Sequence, residues 1–184
     1  MLQDFDFMPS VVSPDGTKRV LLSKDYSFRV FDGKREIGAF HLHELSSNIS
    51  IVWSPDSDRF AISYSDGGAI GGYHANIYQL ERGAIIELPK PPKVAFDDFK
   101  KRYYCEERGN NIWFLGWSTD SALAFFVVQV SPTGDCGSIE GKSAGYLVDL
   151  NGNIVAKYDE KSTDAMQASC DKSGRVSFLR PSAK

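Results

Sequence analysis

Ile51-Val52-Trp53-Ser54-Pro55-Asp56-Ser57-Asp58-Arg59-Phe60-Ala61-Ile62-Ser63-Tyr64 reads as strand, tight turn, strand. Pro55 presets φ at the second turn position and Ser54 occupies the first, a pairing that favours a type I turn. Beyond the turn, Phe60, Ile62 and Tyr64 share one face of an extended chain while Ala61 and Ser63 lie on the other, because side chains alternate along a strand. Ile77-Tyr78-Gln79-Leu80 and Ala84-Ile85-Ile86-Glu87-Leu88 then add two strands around the Arg82-Gly83 turn. The segment 49–88 is therefore a four-stranded antiparallel unit with a large face and a small face. Such a unit buries both faces only by stacking against copies of itself.

Copies are present on both sides. Upstream, Val12-Ser13-Pro14-Asp15-Gly16 opens a weaker version over 8–40, with strands at Val20-Leu21-Leu22, at Phe28 to Phe31 and at Ile37 to Phe40. Downstream, Trp117-Ser118-Thr119-Asp120-Ser121 opens the turn of a third unit over 111–158. Its Leu123 to Val128 strand is apolar on both faces, and its Asn151-Gly152 pair is a strong hairpin signal. A partial fourth copy spans 165–180, where Ala168-Ser169-Cys170-Asp171 precedes Arg175 to Leu179, and the strand-like segment 2–7 is expected to complete its sheet from the other end of the chain.

The repeated Trp-Ser-Pro-Asp turn, followed by an apolar strand and by an aromatic-rich strand ending in Asp-Gly or Leu-Asn-Gly, resembles the TolB-like β-propeller repeat. The departures are Thr119 and Cys170 at the Pro position. Members of that family usually carry about six or seven blades, whereas 184 residues at ~40 residues per blade hold three to four. The expected fold is all-β and propeller-like: three four-stranded antiparallel blades, a composite partial fourth sheet and one short inserted helix, in a single domain over 1–184.

Every long connection falls at the same end of this arrangement: His41 to Asn48, Ser65 to Tyr73, Pro89 to Asn111 and Ser131 to Ala144. Loops held on a rigid scaffold are where binding groups concentrate, so this end is the expected functional face. The largest connection contains Ala95, Phe96, Phe99 and Tyr103 at helical spacing. With Asp97 and Asp98 at its start and Arg108 near its end, this predicts a short helix that presents Lys100-Lys101-Arg102 outward. The expected anchors for a partner are Tyr73, Arg102, Tyr103, Tyr104 and Arg108, since aromatic and Arg side chains dominate interface energetics. Asp66, Glu106, Glu107, Asp135 and Glu140 surround them and favour a basic partner surface.

Catalytic and cofactor signatures are weak. His41, His43 and His74 are the candidate metal ligands of an alternative histidine-metal hydrolase, but they lack a signature spacing with a carboxylate. Asp66-Gly67-Gly68 precedes a strand and so lacks the amide-lined helix start of a phosphate loop. Cys136 has no local cation to lower its pKa and reads as an inert thiol. Asp97-Asp98 and Glu106-Glu107 are sequence neighbours, which a helix points apart. No cofactor and no enzymatic activity are expected.

Lys and Arg number 21 against 24 Asp and Glu, giving a net charge of -3, so no basic field attracts nucleic acid. No stretch approaches the ~18 apolar residues of a membrane span. The amino end carries Asp4 and Asp6 where a secretory signal needs positive charge, and the spacing of Cys105, Cys136 and Cys170 matches no disulfide framework. The sequence thus predicts a reduced, cytoplasmic protein-binding module, and the finest form of this expectation is an inhibitor of the toxin-immunity type. A self-associating scaffold, a homodimer paired through its unfinished sheet, is the other alternative.

Overall fold

The computed structural model describes residues 10–23, 25–42, 47–67, 72–105, 110–132 and 135–169. They form three four-stranded antiparallel sheets, each a simple meander in chain order. Blade 1 contains β1 (Ser10–Val12), β2 (Lys18–Leu22), β3 (Ser27–Asp32) and β4 (Arg35–His41). Blade 2 contains β5 (Ser47–Trp53), β6 (Arg59–Ser65), β7 (Tyr73–Glu81) and β8 (Ala84–Glu87). Blade 3 contains β9 (Asn110–Trp117), β10 (Leu123–Val130), β11 (Ser143–Asp149) and β12 (Ile154–Tyr158). Two helices, α1 (Lys90–Lys100) and α2 (Glu160–Ser169), follow blades 2 and 3. Neither helix is long and apolar enough to cross a membrane.

The first turn of each blade is built by one serine and one aspartate. Ser54 Oγ accepts from Arg59 N at 3.0 Å and donates to Asp56 Oδ1 at 2.5 Å, while the same Oδ1 accepts from Asp58 N at 3.1 Å. Ser13 with Asp15 and Ser118 with Asp120 repeat the pattern. Thr119 replaces the proline without loss of the turn, because Ser121 N still donates to Ser118 O at 2.9 Å. The turn is therefore specified by its serine and aspartate, with proline an aid to pre-organisation.

The large-and-small reading of β6 sets the stacking order. Phe60, Ile62 and Tyr64 join Val20, Phe28 and Val30 in the core between blades 1 and 2. Ala61 lies instead in the core between blades 2 and 3, with Ile77, Phe114, Trp117, Phe126 and Val128. Each later blade also hooks onto its predecessor. Trp53 Nε1 donates to Val11 O at 3.0 Å and Trp117 Nε1 to Val52 O at 3.2 Å. Asp15 N donates to Ser57 Oγ at 3.1 Å and Asp56 N to Ser121 Oγ at 3.0 Å. Burial of the two indoles, 6% and 0% exposed, thus comes with a satisfied N–H, as a buried polar atom requires.

Three expectations need correction. The helix in the long connection begins at Lys90, five residues before Ala95, and ends at Lys100, well short of Arg108. Pro91 and Pro92 fall in its first turn, where a missing amide is tolerated, so they start the helix instead of preceding it. Residues 165–169, expected to begin a partial fourth blade with Ala168 and Ser169 entering its first turn, belong to α2; the rest of the proposed composite sheet, 2–7 and 170–180, lies outside the described residues. Finally, Cys105 and Cys136 form a disulfide across 31 residues of chain. The helix carries Cys105 to a Cα–Cα distance of 5.7 Å from Cys136, within the range a disulfide needs.

Candidate functional site

The hooks place the β1–β2, β5–β6 and β9–β10 turns side by side at one end of the molecule. Because every strand reverses direction, the β2–β3, β6–β7 and β10–β11 connections and the links between blades emerge at the other. The long loops therefore share one rim, as the strand order requires.

Helix α1 runs along the seam between blades 2 and 3 towards that rim. Pro91, Pro92, Ala95 and Phe99 are buried against β7, β9, β10 and β11, and sequestering Phe99 alone contributes roughly 2–3 kcal/mol. At the helix start, a Cβ on Gly152 in the β11–β12 turn would stand 3.2 Å from Lys90 Cβ. Asp98 accepts from Lys157 Nζ at 2.8 Å, fixing the helix to β12. Burial pushes the Asp98 carboxyl up, but the Lys157 bond and charge outweigh it and hold the group below its ordinary value. Burial also raises the Tyr146 phenol, with Asp98 beside it adding to the shift. Most of the helix is thus a structural wedge, and only its C-terminal continuation reaches the loop-bearing end.

At that end the structure assembles two groups. In the first, Tyr73 opens β7 with its ring 5.1 Å from that of Trp113 on β9. Its hydroxyl accepts from Asn48 Nδ2 at 3.0 Å and its amide donates to Asn111 Oδ1 at 3.0 Å, so the residue bridges blades 2 and 3. Next to it, His74 Nε2 lies 2.9 Å from Asp66 Oδ2 and its ring stacks on Tyr64 at 5.2 Å. This pair closes the base of the β6–β7 loop, where Asp66 N also donates to Gly72 O at 3.1 Å.

The second group surrounds the disulfide. Tyr103 is half-buried, its ring 5.1 Å from Phe99 and its carbonyl accepting from Asn110 Nδ2 at 3.1 Å. Tyr104 is 55% exposed with Lys100 Nζ 5.1 Å from its ring centroid, and Arg102 is exposed beside it. Across the disulfide, Glu140 accepts from Cys136 N at 3.1 Å, and Asp135 stands exposed with φ of 50°. Asn110 Oδ1 is buried and has no hydrogen-bond partner among the described residues.

Of the expected partner-binding residues, Asp66, Tyr73, Arg102, Tyr103, Tyr104, Asp135 and Glu140 all emerge at this rim. Glu106, Glu107 and Arg108 lie outside the described residues, as does His43. His41 ends β4 opposite Ser27 in blade 1, whereas His74 pairs with Asp66 in blade 2. Among the described residues no group of three or more His, Cys, Asp or Glu could hold a metal ion. Sequence reasoning missed Asn48, Asn111 and Trp113 as partners of Tyr73, and no local signal marks them, since their contacts span tens of residues.

Strand order, face-to-face sheet packing and the repeated blade-to-blade hooks define a propeller-like β-repeat protein. No family model and no curated protein matches the sequence. Solved structures do. The β-propeller domain of the Trilobed protease from Pyrococcus furiosus, which has an open velcro topology, is 13% identical with a TM-score of 0.45, over 84% of this chain and 43% of that one. TolB from Acinetobacter baumannii is 14% identical with a TM-score of 0.38, over 80% of this chain and 31% of that one. A eukaryotic initiation factor is 8% identical with a TM-score of 0.36, over 82% and 43%. This chain therefore spans less than half the length of each.

Proposed function

We propose that the chain is a non-catalytic protein-binding module that acts through its loop-bearing end on a partner with a basic surface. The observation that supports this most is the asymmetry of the two ends. One is closed by short turns tied serine to aspartate, while the other carries exposed Tyr104 and Arg102 alongside the acids Asp135 and Glu140. An exposed aromatic and an Arg supply anchor area, and the acids supply the charge that selects and steers a basic partner. The most specific form of this reading is an inhibitor of the toxin-immunity type, which works by occlusion and so needs a shaped face but no chemistry of its own. Residence in the cytoplasm, expected from the sequence, belongs to the same proposal.

Capture from the native host tests it. Tyr104→Ala combined with Arg102→Ala should reduce recovery of the partner at least roughly tenfold and leave the melting temperature within about 1 °C, because both side chains are exposed. Tyr103 is a poorer probe, since its ring packs on Phe99. Undiminished capture by the double variant would remove this face from consideration.

A further inference from the structure

We propose that the Cys105–Cys136 disulfide is a redox latch that sets the mobility of the β10–β11 insertion at the loop-bearing end. The bond joins two segments that are anchored very differently. On one side, Cys105 follows a fixed point: Tyr103 N donates to Phe99 O at 3.1 Å, Tyr103 O accepts from Asn110 Nδ2, and Phe99 is fully buried. On the other side, the insertion folds on itself. Glu140 N donates to Gly137 O, Lys142 N to Ile139 O and Cys136 N to Glu140 Oε1. At its base Gln129 Nε2 donates to Gly141 O at 3.2 Å, and Ile139 packs on the core between blades 2 and 3. Cys136 packs on the same core, and the disulfide adds a covalent attachment to the segment that Tyr103 and Asn110 hold.

Both cysteines are half-buried, so a small dithiol reaches them without unfolding of the blades. Reduction breaks the Sγ–Sγ bond and passes two electrons and two protons to the sulfurs, leaving two thiols. The dithiol is itself oxidised to a cyclic disulfide, which balances the step. Removing the link returns conformational freedom to the less anchored partner. Asp135 and Glu140 are then no longer tied through the disulfide to the segment that carries Arg102 and Tyr104, while α1 and the blades keep their own contacts. What the latch regulates rests on the function proposed above; its mechanics do not. A reducing compartment leaves the latch released and an oxidising one keeps it fastened.

Hydrogen exchange followed by mass spectrometry on the full chain, with and without dithiothreitol, tests the latch and requires no partner. Reduction should expose two further reactive thiols. It should also accelerate exchange across 135–142 roughly tenfold or more while α1, β9 and β10 stay within about twofold. Cys105→Ser with Cys136→Ser should reproduce the fast pattern without reductant. The latch is overturned if no thiols are gained, if 135–142 exchanges equally fast in both states, or if blades 2 and 3 accelerate together with the insertion, which would make the bond a brace of the whole fold. None of these outcomes bears on the Tyr104 and Arg102 capture test, so failure of either idea is distinguishable from failure of the other.

Discussion

Ser57 and Ser121 adopt φ of 62° and 60°, a left-handed conformation that disfavours residues with a Cβ. Each is nearly inaccessible, and each accepts the amide of the preceding blade's turn aspartate on Oγ. Two effects of opposite sign therefore compete at one position, and their magnitudes decide the outcome. Ser121→Ala keeps the backbone strain and leaves Asp56 N without its acceptor, a loss of about 1–3 kcal/mol. Ser121→Gly loses the same bond but relieves the strain, so it should be roughly 1 kcal/mol less destabilising than alanine. Urea unfolding of the two variants checks this. Equal stabilities would mean that the backbone conformation carries no strain. The turn was legible in the sequence from Ser54, Pro55 and Asp56; that Ser57 accepts a bond from another blade was not, because its donor lies 42 residues away.

The helices show how an element's role departs from its pattern. The apolar spacing of Ala95, Phe96 and Phe99 marked a helix correctly, yet amphipathicity says only that one face is covered and not by what. Here the cover is the seam between blades 2 and 3, so the helix is a wedge. Helix α2 packs on β11 and β12 and leans on Gly145, where an added Cβ would meet Phe125 Cζ at 2.8 Å and Thr163 Oγ1 at 2.9 Å. Phe125 is fully buried and Thr163 nearly so, and neither has room to retreat. Gly145→Ala should therefore destabilise by about 1–3 kcal/mol, read as a lowered midpoint in thermal or denaturant unfolding. A neutral result would show that α2 shifts freely on the sheet.

At the scale of the whole molecule, aspartates that close turns, in the repeated motif and elsewhere, contribute to the acid stability. The Ser13 hydroxyl, followed by the Thr17 amide, holds the Asp15 carboxyl down at about 2, against an ordinary value of 3.8. Asp25 is lowered mainly by the Ser27 hydroxyl, and Asp149 mainly by the Asn153 side chain. Burial pushes Asp56 up, but the Ser54 hydroxyl, the Asp58 amide and Arg59 outweigh it. Each folded carboxyl thus binds its proton at lower pH than in the unfolded chain. Stability from these groups is fully present above about pH 5 and is lost as pH falls through about 4 towards 2. Unfolding free energy measured across that window should drop steeply, and Asp15→Asn should flatten the low-pH limb. A pH-independent profile between 5 and 2 would contradict the role of these turn aspartates. Blade 1 contributes differently to the array: Val12 and Gly16 stand where later blades carry Trp and Ser, so it offers neither hook, and Val12 is 55% exposed.

Strand order and turn positions were contained in the sequence, because they follow from interactions between near neighbours: alternation along a strand, and a serine and an aspartate closing a turn within five residues. The rim that gathers the long loops was legible for the same reason, since it follows from counting reversals. Tertiary structure alone decided that Cys105 meets Cys136, that α1 fills a seam, and that Tyr73 bridges to Asn48 and Asn111. Those contacts join residues whose separation in the chain carries no periodic signal, and only the packing of one blade on the next brings them within reach.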